Sequence, residues 1–134
     1  KKPGFLTATT LYIATVGIVY QLLLRDIWEP TGMQRIVDEL LHSIIPTYVL
    51  VFWIIYENKK DVSWKAIPSW LVYPLCYLIF ILFRGHLSGF YPYPFVNVTE
   101  LGLEKVLLNS GALVLAFLVM AFVFVCIGKS IRTK

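Results

Sequence analysis

Four stretches of the chain are apolar almost without interruption, at about residues 5–24, 38–57, 66–84 and 106–127. A bilayer core of about 30 Å is spanned by roughly 20 helical residues. Each stretch therefore predicts one membrane-crossing α-helix. Open sheet is excluded in lipid, because unpaired backbone groups cannot be satisfied there. No repeat and no polar linker domain interrupts the pattern. The expectation is an all-α integral membrane protein with a single transmembrane domain over residues 1–134 and four transmembrane helices.

Composition agrees with the pattern. Of 134 residues, 58% are hydrophobic and 15% charged, and the mean hydropathy is +0.73. A soluble domain carries about 25% charged residues, so this chain could not cover its own surface with polar groups. The net charge of +4 does not point to nucleic acid, because the basic residues sit at the ends of apolar runs. Eight of them (Lys1, Lys2, Lys59, Lys60, Lys65, Lys129, Arg132, Lys134) flank the termini and the second connection. Four (Arg25, Arg35, Arg84, Lys105) lie in the first and third connections. The excess of basic residues on the cytoplasmic side places both termini in the cytoplasm of a multi-pass cell-membrane protein. Cys76 and Cys126 lie inside apolar runs and read as packing residues. No metal-ligand spacing is present, so neither a metal nor a cofactor is expected. The chain opens Lys1-Lys2-Pro3 without a leader pattern, and the gene product is expected to begin upstream.

Each helix should turn its small and polar residues inward. The first carries Thr10, Ala14, Gly17 and Gln21 on one stripe, where small residues allow close approach and Gln21 needs a partner. The third carries Trp70, Tyr73, Tyr77, Phe80 and Arg84, and the fourth Asn109, Ala112 and Ala116.

The second stretch begins with DELLHSIIP, residues 38–46. Thr31 and Gln34 fit a capping box that starts the helix near Gly32. Arg35 and Glu39 are an i, i+4 ion pair. Asp38 and His42 have the same spacing and share a face, so Asp38 can hold one ring nitrogen of His42 and leave the other free as a base. Pro46 lacks the N–H that would bond the His42 carbonyl. The helix should kink at this level, leaving a free acceptor beside the histidine that protein or water must satisfy. An ionisable group at membrane depth suggests function, although an interfacial histidine that only caps the bundle has the same spacing.

Between the third and fourth stretches, RGHLSGFYPYPFVNVTELG alternates aromatic residues with Pro92 and Pro94. Gly85 is expected to end the third helix, and Asn97 with Glu100 to start the fourth. Two readings of this loop stand side by side. One is an interfacial anchor. The other is a lid over an outer-leaflet cavity lined by His42, Tyr77 and Arg84.

The motifs His42-Ser43-x-x-Pro46 and Ser88-Gly89-x-x-x-Tyr93-Pro94-Phe95, followed by LLNSG, resemble those of the androgen-induced hydrolase family of six-helix membrane proteins, and its bacterial members most. The resemblance implies that this chain is the last four of six helices. It implies hydrolysis of fatty acid esters by a threonine nucleophile and a histidine, the histidine falling on His42. The family threonine would lie upstream of the first stretch, and Thr7, Thr9 and Thr10 do not align with it. The candidate catalytic pair is then His42, the base, with Asp38 orienting it. Arg84, Tyr77 and Tyr93 are the candidate substrate-binding residues, Arg84 for a fatty-acid carboxylate. Membrane lipids are the expected partners. Two other classes stay open: a transporter or channel, against which the gathering of polar groups on the outer half weighs, and an accessory or structural subunit that works with other membrane-protein subunits and needs no dyad.

Overall fold

A computed structural model of the chain describes residues 4–58 and 62–131. Of the basic residues used to orient the helices, Lys1, Lys2, Lys59, Lys60, Arg132 and Lys134 lie outside these. Every regular element among the described residues is helical. Four are long: α1 (Phe5–Leu24), α2 (Met33–Tyr56), α3 (Ile67–Ser88) and α4 (Val98–Ile131). All four are long and apolar enough to cross a membrane. Short 3-10 turns at Trp64–Ala66 and Pro94–Val96 lead into α3 and α4.

The described residues form two compact units. The first runs to Trp64 and includes the chain from Val123 onward. Here α1 packs along α2, and Leu11 and Trp53 are wholly buried. The Trp53 ring tilts against Phe124, with centroids 4.9 Å apart. Its indole N–H donates to Thr7 Oγ1 at 2.8 Å, and the Thr7 hydroxyl donates to Glu57 Oε2 at 2.9 Å. A buried indole needs such a partner, and this one ties the start of α1 to the end of α2. Of the stripe Thr10, Ala14, Gly17 and Gln21, the first three are buried as the pattern predicts, while Gln21 is exposed and finds its partners in Ser43 and the His42 carbonyl.

The second unit runs from Lys65 to Phe122. Its core is Ile81, Val96 and Val106, with Leu78, Leu82, Phe95 and Leu101 packed around them. The connection between α3 and α4 is fastened to this core. Val96 is buried in it, the Asn109 amide donates to the Phe95 carbonyl at 2.9 Å, and the Tyr91 ring lies directly on Gly85. Asn97 caps α4 as expected, its side-chain oxygen accepting from Thr99 N at 3.1 Å and Glu100 N at 3.4 Å.

Several expectations are corrected. Gly85 does not end α3. Gly89 does, with φ 69° and its N–H on the Gly85 carbonyl at 2.8 Å, the left-handed geometry glycine adopts without a steric penalty. The Thr31–Gln34 box does not form, since Gly32 occupies the cap with φ 58° and no side chain bonds it. α4 starts at Val98 and bends at Gly102, φ 77°, so its first turn is set apart from the apolar run. The stripe proposed for α3 faces outward except for Trp70. Tyr73, Phe80 and Arg84 are exposed, and Leu78, Ile81, Leu82 and Gly85 face the core instead. On α4, Ala112 and Ala116 are exposed while Val106, Ser110 and Phe117 are buried.

Candidate functional site

Two π-helical turns build the site, both in the first unit. In α1 the turn spans Tyr20–Leu24 and closes with Arg25 N on the Tyr20 carbonyl at 2.9 Å. In α2 it spans Leu40–Ile44 and closes with Ile45 N on the Leu40 carbonyl. The second turn has a visible cause. It places Pro46 at the start of a fresh α-helical segment, Ile45–Tyr56, where a missing N–H removes no bond. The regular ladder is broken at His42–Pro46 as the sequence requires. The His42 carbonyl finds its donor on the neighbouring helix, from Gln21 Nε2 at 3.4 Å. Gly17 makes this approach possible, since a Cβ on it would stand 3.0 Å from Pro46 Cβ and 3.3 Å from the His42 carbonyl. Inserted residues of this kind recur at functional sites in helices.

The Asp38–His42 pair forms as its spacing predicts, with His42 Nδ1 3.1 Å from Asp38 Oδ1. Nδ1 stands equally close, 3.1 Å, to the Asp38 backbone carbonyl. A carbonyl and an ionised carboxylate only accept, so Nδ1 is the donor in both contacts. Among the described residues Nε2 has no hydrogen-bond partner. A third member joins from α1. The Tyr20 hydroxyl donates to Asp38 Oδ2, and the Tyr20 ring lies flat on the imidazole, with centroids 4.0 Å apart and planes 8° apart. Tyr20 is 5% exposed and Asp38 9%, so the carboxylate depends on these two donors rather than on water.

Beside this triangle runs a second polar chain. Arg25 donates to Glu39 Oε1 at 2.6 Å and to Gln21 Oε1 at 2.7 Å. Ser43 donates to Glu39 Oε2 at 2.7 Å and accepts from Gln21 at 3.0 Å. Glu39 thus pairs with Arg25 from the first connection and not with Arg35 as the helical spacing predicts. Arg25 and Glu39 are both more than a third exposed, and such a pair is worth about 0–1 kcal/mol. Its value here is register, since it fixes how α1 meets α2. Below it lies an open groove of about 370 Å³, lined by Ala14, Gly17, Ile18, Gln21 and Leu22 of α1 and by His42, Ser43, Pro46, Thr47 and Leu50 of α2. Tyr20 and Asp38 do not line it.

The other candidates lie in the second unit. The hydroxyls of Tyr77 and Tyr93 are 3.2 Å apart. Tyr93 stacks on Phe95 at 5.4 Å, and burial with the Tyr77 contact pushes its phenol up to about 12. Arg84 is exposed and lies over the Phe90 ring at 5.5 Å, an attraction between cation and ring face.

The three threonines at the start of α1 are otherwise engaged. Thr9 and Thr10 donate to the carbonyls of Phe5 and Leu6, one helical turn back. Thr7 is bound to Trp53 and Glu57 at the far end of the pair of helices. Thr10 alone is seven residues before Gly17, about 10 Å along the axis at 1.5 Å per residue. The sequence points to Asp38 and His42, and to Ser43 only as part of a motif; it gives no role to Tyr20 or Arg25 at the site. The only signal for Tyr20 was a tyrosine next to Gln21 in an otherwise aliphatic turn. No protein-family model, no curated protein and no solved structure matches the chain, so the site is read from its own geometry.

Proposed function

We propose that this chain is the histidine-bearing part of a multi-pass membrane hydrolase that cleaves lipid esters, with His42 as general base. The observation that carries the reading is the 3.1 Å contact of His42 Nδ1 with Asp38 Oδ1. It leaves Nε2 to take a proton, in a chain with four helices long and apolar enough to cross a membrane. In this proposal the chain supplies the last four of six helices, and the nucleophile is a threonine hydroxyl on an upstream helix. A threonine hydroxyl is weak until a base removes its proton. The Thr Oγ–H proton passes to His42 Nε2 as Oγ attacks the ester carbonyl. The same proton then goes to the departing alkoxide, and water cleaves the acyl-enzyme by the reverse sequence. Arg84 is assigned to a fatty-acid carboxylate, and Tyr77 and Tyr93 to the lipid at headgroup level. The protein is placed in the cell membrane with both termini on the cytoplasmic side.

The test is hydrolysis by the full-length protein in detergent or nanodiscs. General-base catalysis is typically worth ~10²–10⁴-fold, so His42→Ala should lose nearly all turnover while folding normally. Asp38→Asn should lose less, because it disturbs orientation and charge only. Wild-type turnover in His42→Ala would end the hydrolase reading.

The Tyr20–Asp38–His42 triangle favours a second reading, because it joins α1 to α2 whether or not chemistry follows. On that reading the protein is a structural or accessory subunit of a membrane complex. His42→Ala would then lower the unfolding midpoint, and the native protein would purify with other subunits.

A further inference from the structure

Asp38 has two carboxylate oxygens and the structure gives each its own donor. Oδ1 faces His42 Nδ1, and Oδ2 takes the Tyr20 hydroxyl from the neighbouring helix. Tyr20 also supplies the flat surface on which the imidazole rests. One side chain of α1 therefore fixes both the plane of the base and the carboxylate that sets its tautomer. With Oδ2 unheld, the carboxylate could turn about its last bond and present neither oxygen to Nδ1, which would keep only the Asp38 backbone carbonyl, also at 3.1 Å. The π-helical turn beginning at Tyr20 lets adjacent residues serve both polar systems, Tyr20 on Asp38 and Gln21 on Ser43.

We propose that Tyr20 is the positioning residue of this site: through Asp38 and by stacking, it holds His42 as the Nδ1–H tautomer with Nε2 free. The inference rests on the hydrolase reading for its catalytic meaning, but the tautomer can be read without any turnover. The hydroxyl and the ring are separable. Tyr20→Phe keeps the stack and removes the donor to Asp38. Tyr20→Leu removes both. Tyr48, exposed on α2, gives a matched Tyr48→Phe control for the loss of a phenol that touches neither Asp38 nor His42.

The experiment uses full-length protein, labelled with ¹⁵N-histidine, in nanodiscs. Two quantities are read: the Nδ1–H signal of His42, and kcat against KM on a lipid ester. Partners that orient a histidine at metal sites typically contribute 10- to 100-fold; on the same scale, Tyr20→Phe should lower kcat by about tenfold and leave KM unchanged. Its His42 Nδ1–H signal should broaden into exchange with water. Tyr20→Leu should lose more of both, and Tyr48→Phe neither. A purely structural tyrosine would lower the unfolding midpoint and leave the Nδ1–H signal and kcat of the folded protein as they were, and that result overturns the proposal. Failure of the hydrolase reading looks different: His42→Ala would keep full turnover. The ¹⁵N signal then decides alone, a sharp wild-type Nδ1–H line in Tyr20→Phe refuting the positioning role and its loss supporting it.

Discussion

Gly85 and Tyr91 give a prediction whose sign reverses with its background. Gly85 is inside α3, and an added Cβ would stand 2.1 Å from Tyr91 Cε1 and 2.4 Å from Cδ1. Carbon atoms rest at about 3.5–4.0 Å, so Gly85→Ala forces the ring back by about 1.4–1.9 Å. Full burial of a large apolar side chain is worth about 1.5–3 kcal/mol, and Tyr91 is half-buried. Losing its seat therefore costs about 1–1.5 kcal/mol, and more if the ring stays and the strain is absorbed. Against this, alanine is better than glycine inside a helix by roughly 0.5–1 kcal/mol. Gly85→Ala should be destabilising by up to about 2 kcal/mol with Tyr91 present. In a Tyr91→Ala background the clash is gone, and the same change should stabilise by about 0.5–1 kcal/mol. Reversible unfolding in mixed detergent micelles, run as a double-mutant cycle, reads the coupling. A Gly85→Ala change with the same effect on stability whether or not Tyr91 is present would refute the claim that this loop is seated on α3.

Gly17 obeys similar logic between α1 and α2. Gly17→Ala should be near neutral, the contact at 3.0 Å with Pro46 offsetting the helix gain, whereas Gly17→Leu should lose about 1–3 kcal/mol through overpacking; equal midpoints for the two would contradict the packing. The Tyr93 phenol stands at about 12 against an ordinary 10.0. The folded form then holds a proton that the unfolded chain has lost, so this stability is complete below pH 10 and disappears as pH rises through about 12. Tyr93→Phe should remove that slope from the unfolding midpoint, and an unchanged slope would show that another group is responsible. In a background without Cys76 and Cys126, single cysteines at Asn58 and Ser88 should be labelled from opposite sides of the membrane, Ser88 from outside; labelling of Ser88 from the cytoplasm alone would invert the orientation.

The helices were legible because hydropathy acts over whole spans, and twenty apolar residues leave few alternatives. Asp38–His42 was legible because i, i+4 contacts are internal to one helix. What failed depended on neighbours. Glu39 has a partner at the right spacing in Arg35, yet it binds Arg25, fourteen residues earlier, since the turn after α1 brings that guanidinium over. Tyr20 meets Asp38 across the same turn, eighteen residues apart, and no local spacing encodes that. The break at Pro46 was predictable from its missing N–H. Its form as a π-helical turn was not, because the choice between a bend and an inserted residue is made by α1, where Gly17 leaves room and Gln21 offers a donor. On α3 the hydrophobic and aromatic content is nearly uniform, so a polar stripe could not reveal which face meets the core.

The central claim is that His42 activates a hydroxyl on this membrane protein, and a covalent trap tests it most directly. Full-length protein in nanodiscs is treated with a long-chain fluorophosphonate or β-lactone, and the adduct is located by mass spectrometry. The account predicts one modified threonine upstream of residue 1, formed rapidly in wild type and slowed by about 10²-fold or more in His42→Ala, in line with the loss of a general base. An adduct that forms at the wild-type rate without His42, or no adduct at all, would contradict it.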